Sequence, residues 1–209
     1  MNIVHNSITR NIMRAMLPVA LAVIVVLTNE PKAEELMYAE PIVVTQVAPV
    51  VHGDLYVFLH AVAQRESNNK AYVVNRIGML GKYQFSPKTL WQLGARFEVS
   101  REEFLDRGEL QDSAMVQYLK DNRKILRDII VEYEGKWYEG IYITESGLLA
   151  GAHLVGPHGL RAYFDADYTV KRGDRSIRPR TVDGNGTTVA EYIEKFSGYD
   201  LEALDIGTQ

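Results

Sequence analysis

The chain has 209 residues, with 23 Lys+Arg against 27 Asp+Glu and a formal net charge of −4. Its 46% hydrophobic content is enough to bury a core, which excludes global disorder. The mild acidity argues against general nucleic-acid binding, which needs clustered Lys and Arg. The absence of cysteine excludes disulfides, thiolate metal sites and cysteine nucleophiles.

Residues 1–28 carry Arg10 and Arg14, no acid, and an uninterrupted apolar run from Ala15 to Leu27. Such a run reaches about 20 Å as a helix, short of the roughly 30 Å hydrocarbon core. The pattern reads as a secretory signal peptide or an uncleaved N-terminal membrane anchor. Both place the remainder outside the cytoplasm, in the periplasm or cell envelope. Residues 29–51, with Pro31, Pro41 and Pro49, read as a linker or an edge strand. Residues 52–209 form the expected domain.

In that domain Asp54 caps a helix to about Glu66, with Leu55, Phe58, Leu59 and Val62 at helical spacing. Residues 71–85 break the period around Gly78 and Gly81 and predict a loop or small hairpin. Ser86-Pro87 starts a helix expected to stop at Gly94. Ser100-x-x-Glu103 is a capping box for a short helix ending by Gly108. A long helix is expected from about Leu110 to Tyr133, then a turn or short strand over 135–143. Thr144 caps a helix through Leu154 that Gly156-Pro157 ends. The polar stretch 165–187 predicts a long surface loop. Thr188-x-x-Glu191 caps a last helix through Phe196, closed by Gly198. The fold class is α+β, predominantly helical, with one small β-like insert after the first domain helix.

The first helix carries the most informative residue. Extending its apolar stripe by four lands on Glu66. Partial burial and the negative end of the helix would both raise the pKa of a carboxyl there, as a general acid requires. The plainer alternative is that Glu66 ends the helix and bonds nearby backbone or Arg65. Glu66-Ser67 is followed about fifteen residues later by Gly81-Lys82-Tyr83-Gln84-Phe85, and far downstream by Ala150-Gly151-Ala152-His153-Leu154-Val155-Gly156-Pro157.

These elements, over roughly residues 54–165, resemble the lysozyme-like superfamily, specifically its soluble-lytic-transglycosylase type of peptidoglycan-cleaving domain. The resemblance implies a lysozyme-like fold with Glu66 as catalytic acid/base. It implies Ser67 beside the acid, and Asn75 where the family has a small hydroxyl residue. It implies that Gln84 lines the sugar cleft, with Tyr83 in place of Met. In the third motif His153 replaces Tyr and Leu154 replaces Asn. His153 is then either a donor toward Glu66 or substrate, or an interior histidine; Tyr83 and Phe85 are either cleft or core aromatics.

The implied chemistry is cleavage between N-acetylmuramic acid and N-acetylglucosamine by a single carboxyl group. Glu66 protonates the glycosidic oxygen, then takes the proton of the muramyl 6-hydroxyl as a 1,6-anhydro ring closes. No cofactor is required. The implied partners are peptidoglycan glycan strands, with a secretion or other envelope apparatus left open. A hydrolytic muramidase and a catalytically silent glycan-binding domain are the alternatives. Glu145, or an acid within 102–112, facing Glu66 would favour hydrolysis; Glu145 is also a natural first-turn residue.

The five histidines show no metal-ligand spacing, so no metal site is expected. Asp183-Gly184-Asn185-Gly186 reads as a turn. The basic run 171–180 is either a solvated loop or a contact for envelope anions.

Overall fold

The computed structural model describes residues 52–97 and 99–205. Residues 1–28, read above as an export signal or anchor, and residues 29–51, read as a linker, lie outside the described residues. Among the described residues no helix is long and apolar enough to cross a membrane.

The order of elements is α1 (Leu55–Ser67), α2 (Pro87–Phe97), α3 (Arg101–Asp106), α4 (Gly108–Ile125), α5 (Arg127–Tyr133), β1 (Trp137–Tyr138), β2 (Ile141–Tyr142), α6 (Glu145–Phe164), β3 (Val170–Arg172), β4 (Arg175–Ile177) and α7 (Val189–Lys195). Helices dominate, and the strands form two separate antiparallel hairpins, β1–β2 and β3–β4. The predominantly helical α+β class thus holds.

The caps act where the sequence puts them. Asp54 accepts from the Val57 amide, Ser100 from Glu103, and Thr144 from Gly147. Thr188 and Glu191 form a reciprocal capping box at α7. Residues 71–85 make isolated bridges, Val74 with Leu80 and Leu80 with Phe85, rather than a ladder.

Four expectations need correction. The second helix runs through Gly94 to Phe97, because glycine lowers helix stability without forbidding helix. The long fourth helix is broken at Leu126, separating α4 from α5. Arg161 fits this break: it donates to the Ile125 carbonyl at 2.6 Å and grips Asp128, in the first turn of α5, with two bonds of 2.6 Å. These hydrogen bonds first, and then the guanidinium charge, hold the Asp128 carboxyl below the usual range. Gly156 does end the first part of α6, with φ 79°, but Pro157 restarts the helix, which continues to Phe164. Finally, the 165–187 stretch contains the β3–β4 hairpin, with Arg172 opposite Arg175.

The core gathers around α1, α6 and α7. Phe58, Val62, Leu148, Leu149, Ala150 and Ile193 are fully buried. The two ends of the domain meet: the His52 amide donates to the Gly198 carbonyl at 2.7 Å, and Gly53 pairs with Tyr199.

The β-like insert is held by one buried side chain from α4. Gln111 has no exposed surface. Its Oε1 accepts from the Lys82 amide at 2.7 Å, and its Nε2 donates to the carbonyls of Phe104 at 2.7 Å and Ala71 at 3.1 Å. Gly81 is forced by this clamp: its φ is 74°, and a Cβ there would stand 2.3 Å from Gln111 Oε1. Gln111→Ala leaves three backbone groups without these partners. It is expected to destabilise the domain by about 3 kcal/mol, read as a lower urea midpoint at unchanged slope. A midpoint equal to wild type would show that the clamp is dispensable.

Candidate active site

Glu66 is the penultimate residue of α1, half-buried, and continues the helix face that carries Phe58, Leu59 and Val62 into the core. The helix stops directly after it: Asn68 and Asn69 both take left-handed backbone, with φ 54° and 60°. Ser67 is buried and its hydroxyl donates to the Lys82 carbonyl at 2.8 Å. That bond joins the end of α1 to the insert that carries Gln84.

A cleft of about 190 Å³ opens at this junction. Four of the six residues singled out in the sequence line it: Glu66, Asn75, Gln84 and His153. Gln84 holds a left-handed backbone, φ 49°, and its Nε2 donates to the Gly81 carbonyl at 2.9 Å. Asn75 Oδ1 accepts from the amides of Ile77 and Met79, both at 3.0 Å, so Asn75 also builds the turn it sits on.

Tyr83 and Ser67 do not line the cleft. Tyr83 is a core aromatic, 1% exposed, and its hydroxyl donates to Asp112 Oδ1 at 2.5 Å. Burial, with Asp112 beside it, pushes that phenol far above its usual range. Ser67 is turned inward to the Lys82 carbonyl, where it positions Glu66 and Gln84 relative to one another.

The structure adds residues that the sequence reading did not single out as part of a site. The Tyr192 hydroxyl, from α7, donates to Glu66 Oε1. Tyr192 is 2% exposed. Burial first, and then the Glu66 charge, push its phenol far above the ordinary tyrosine range, so it remains a donor at any working pH. The Asp183–Asn185 turn also lines the cleft. Asp183 Oδ1 accepts from the amides of Asn185 at 2.8 Å and Thr187 at 2.7 Å.

Glu145 is not part of this site. It forms a two-bond pair with Arg123, which also reaches Asp205 at 2.8 Å. Among the residues from 102 to 112, Asp112 is held by Lys82 and Tyr83. Asp183 is the second carboxylate of the cleft among the described residues.

His153 Nε2 lies 2.9 Å from the Tyr83 carbonyl. A carbonyl only accepts, so the proton sits on Nε2 and leaves Nδ1 bare. Burial lowers the imidazole pKa, and the Glu66 charge offsets this only in part. Family models, curated proteins and solved structures were compared with the chain, and none matches.

The lowered His153 pKa has a definite sign. As pH falls, the unfolded imidazole takes its proton first, near the ordinary 6.5. Stability is therefore present above that pH and lost as pH falls below it. An NMR titration is expected to show the Nε2–H tautomer and a midpoint below 6.5. His153→Gln is expected to flatten the loss of thermal stability between about pH 7 and 5. An imidazole that titrates above 6.5 would contradict this environment.

Proposed function

We propose that this chain is an exported peptidoglycan-cleaving enzyme, a lytic transglycosylase with a lysozyme-like fold, acting in the periplasm or cell envelope. The observation that carries the reading is the half-buried Glu66 carboxyl, which opens on a cleft with Gln84 and receives a hydrogen bond from Tyr192. A helix ending in that carboxylate, a short irregular insert behind it and a long helix through the domain support the fold proposal.

The geometry divides the labour within the carboxyl group. Oε1 accepts the Tyr192 hydroxyl, so the acid proton belongs on Oε2. From there Glu66 protonates the glycosidic oxygen between N-acetylmuramic acid and N-acetylglucosamine, and the bond to the anomeric carbon breaks. The resulting carboxylate is stabilised by the same phenol donor. It then removes the proton of the muramyl 6-hydroxyl, whose oxygen attacks the anomeric carbon and closes the 1,6-anhydro ring. Glu66 ends the cycle protonated, and no water is consumed. Gln84 and Asn75 supply polar contacts along the cleft. Neutral His153 fixes the wall by holding the Tyr83 carbonyl.

Asp183 favours a second reading, hydrolysis by a muramidase, because most glycosidases use a second carboxylate. Its Oδ1 is committed to two loop amides, which supports the single-carboxyl route.

Digestion of purified sacculi followed by mass spectrometry tests the assignment. Anhydromuramyl products are expected; reducing muropeptides would support the muramidase, and no products a silent glycan-binding domain. Glu66→Gln is expected to lower product release by about 10²–10⁴-fold, and full activity in that variant would refute the role. Tyr192→Phe, which keeps the ring, is expected to cost about tenfold through a lost charged hydrogen bond. Asp183→Asn is expected to leave the anhydro yield unchanged, whereas abolition of activity would favour the two-carboxylate mechanism.

A further inference from the structure

We propose that the outer face of α4 and α5 docks on a bilayer rich in anionic phospholipid, so that the domain holds a membrane by its own surface. This goes beyond glycan cleavage. It takes only its location from the reading of residues 1–28 as a membrane-directed segment.

The first observation is a cationic stripe. Lys120, Lys124, Arg127 and Val131 follow one another at steps of four, three and four along α4 and α5. That spacing returns to one face of a helix. The break at Leu126 does not part them, because all four line one groove of about 540 Å³. The carboxylates of this groove are Glu145 and Asp205, and Arg123 binds both. Nearby, Asp128 is held by Arg161 through two bonds, and Asp121 accepts from Gln117 Nε2. Lys124 and Arg127 are exposed and have no carboxylate partner among the described residues. The chain as a whole has a net charge of −4, so this face is where it attracts an anionic surface.

The second observation is apolar surface on the same face, which a soluble anion would leave in water. Val131 is 76% exposed. The hollow on the α2 side shares Lys124 and adds Ile125, 47% exposed, and Trp91, 77% exposed. Large apolar side chains set among lysine and arginine suit the headgroup region of a bilayer. The apolar groups enter the acyl boundary, an indole prefers that interface, and the long cationic stems keep their charges at the phosphates.

The third observation is the place of the domain in the chain. The apolar run ends at Leu27, and residues 28–51 reach at most about 80 Å when fully extended. With the run anchored, the domain stays within that distance of the bilayer. A weak surface attraction then acts within one tethered molecule, at a high effective concentration of lipid.

The chain has no cysteine, so an environment-sensitive fluorophore on Val131→Cys reports this face alone. The labelled full chain is mixed with vesicles of phosphatidylglycerol and phosphatidylcholine, or of phosphatidylcholine alone. A blue shift is expected on the anionic vesicles, lost at about 0.5 M salt, and none on the neutral ones. Lys124→Glu with Arg127→Glu is expected to raise the anionic lipid needed for half of the shift at least tenfold. The lipid and salt dependence are read with both cations in place, so the test does not hang on the folding of that variant. Attachment to both kinds of vesicle with the label still in water, as the N-terminal segment alone would give, overturns the proposal. So does an equal shift on neutral vesicles, or a shift given by soluble polyphosphate and not by vesicles. Failure of the catalytic reading is distinguishable: sacculi would release no muropeptides while the lipid-dependent shift persisted.

Discussion

A phenol on the last helix donates to a carboxylate at the end of the first, across 126 positions of sequence. The contact requires α7 to lie very close to α6, and the sequence of α6 permits this. A Cβ at Gly147 would stand 2.7 Å from the Ile193 carbonyl, and one at Gly151 would stand 3.1 Å from Leu160 and 3.4 Å from Val189. The two glycines, one turn apart, let the backbones approach. Thr144 and Ser146, at the start of α6, then hold the chain that leaves α7: they accept from the amides of Gly198 and Tyr199 at 3.2 and 3.1 Å. Tyr192 is thereby fixed at both ends of its segment.

The opposite wall of the cleft is set by a different device. The insert is too short and irregular to be stable as a sheet. Gln111 substitutes side-chain hydrogen bonds for the missing ladder, and Ser67 ties the insert to α1. With the backbone thus overdetermined, Gln84 can hold a left-handed conformation that a non-glycine residue avoids, at a cost on the order of 1 kcal/mol. Strain of this kind survives only where surrounding bonds enforce it, and here it sits at the cleft.

Local chemistry was legible in the sequence, and long-range geometry was not. Asp54, Ser100, Thr144 and Thr188 act within three residues of themselves, so their caps could be read directly. Glu66 was legible because a carboxylate on an apolar stripe breaks a local rule. Tyr192 breaks none: with Val189, Ile193 and Phe196 it reads as an ordinary core position. Only the packing of α7 on α6 reveals its role. Tyr83, which the sequence left open between cleft and core, lies in the core for the converse reason. Its neighbour Gln84 lines the cleft, but adjacent residues diverge in direction, and Tyr83 finds Asp112 inside. The Asp183 turn was recognised as a turn, but nothing in its composition said that it would overlook Glu66.

The same geometry explains how the altered third motif is compatible with the proposed chemistry. Where the resembled family has Tyr-Asn, this chain has His153-Leu154, and both still line the cleft. His153 Nε2 is occupied by the Tyr83 carbonyl and its pKa is lowered, so it is a poor source of a proton for the carboxylate. A phenol nevertheless reaches Glu66, from α7 rather than α6. Because Tyr192 is held protonated by burial and by the carboxylate itself, the donor and the acid cannot exchange roles. In the proposed cycle that hydrogen bond would orient Glu66 in both halves.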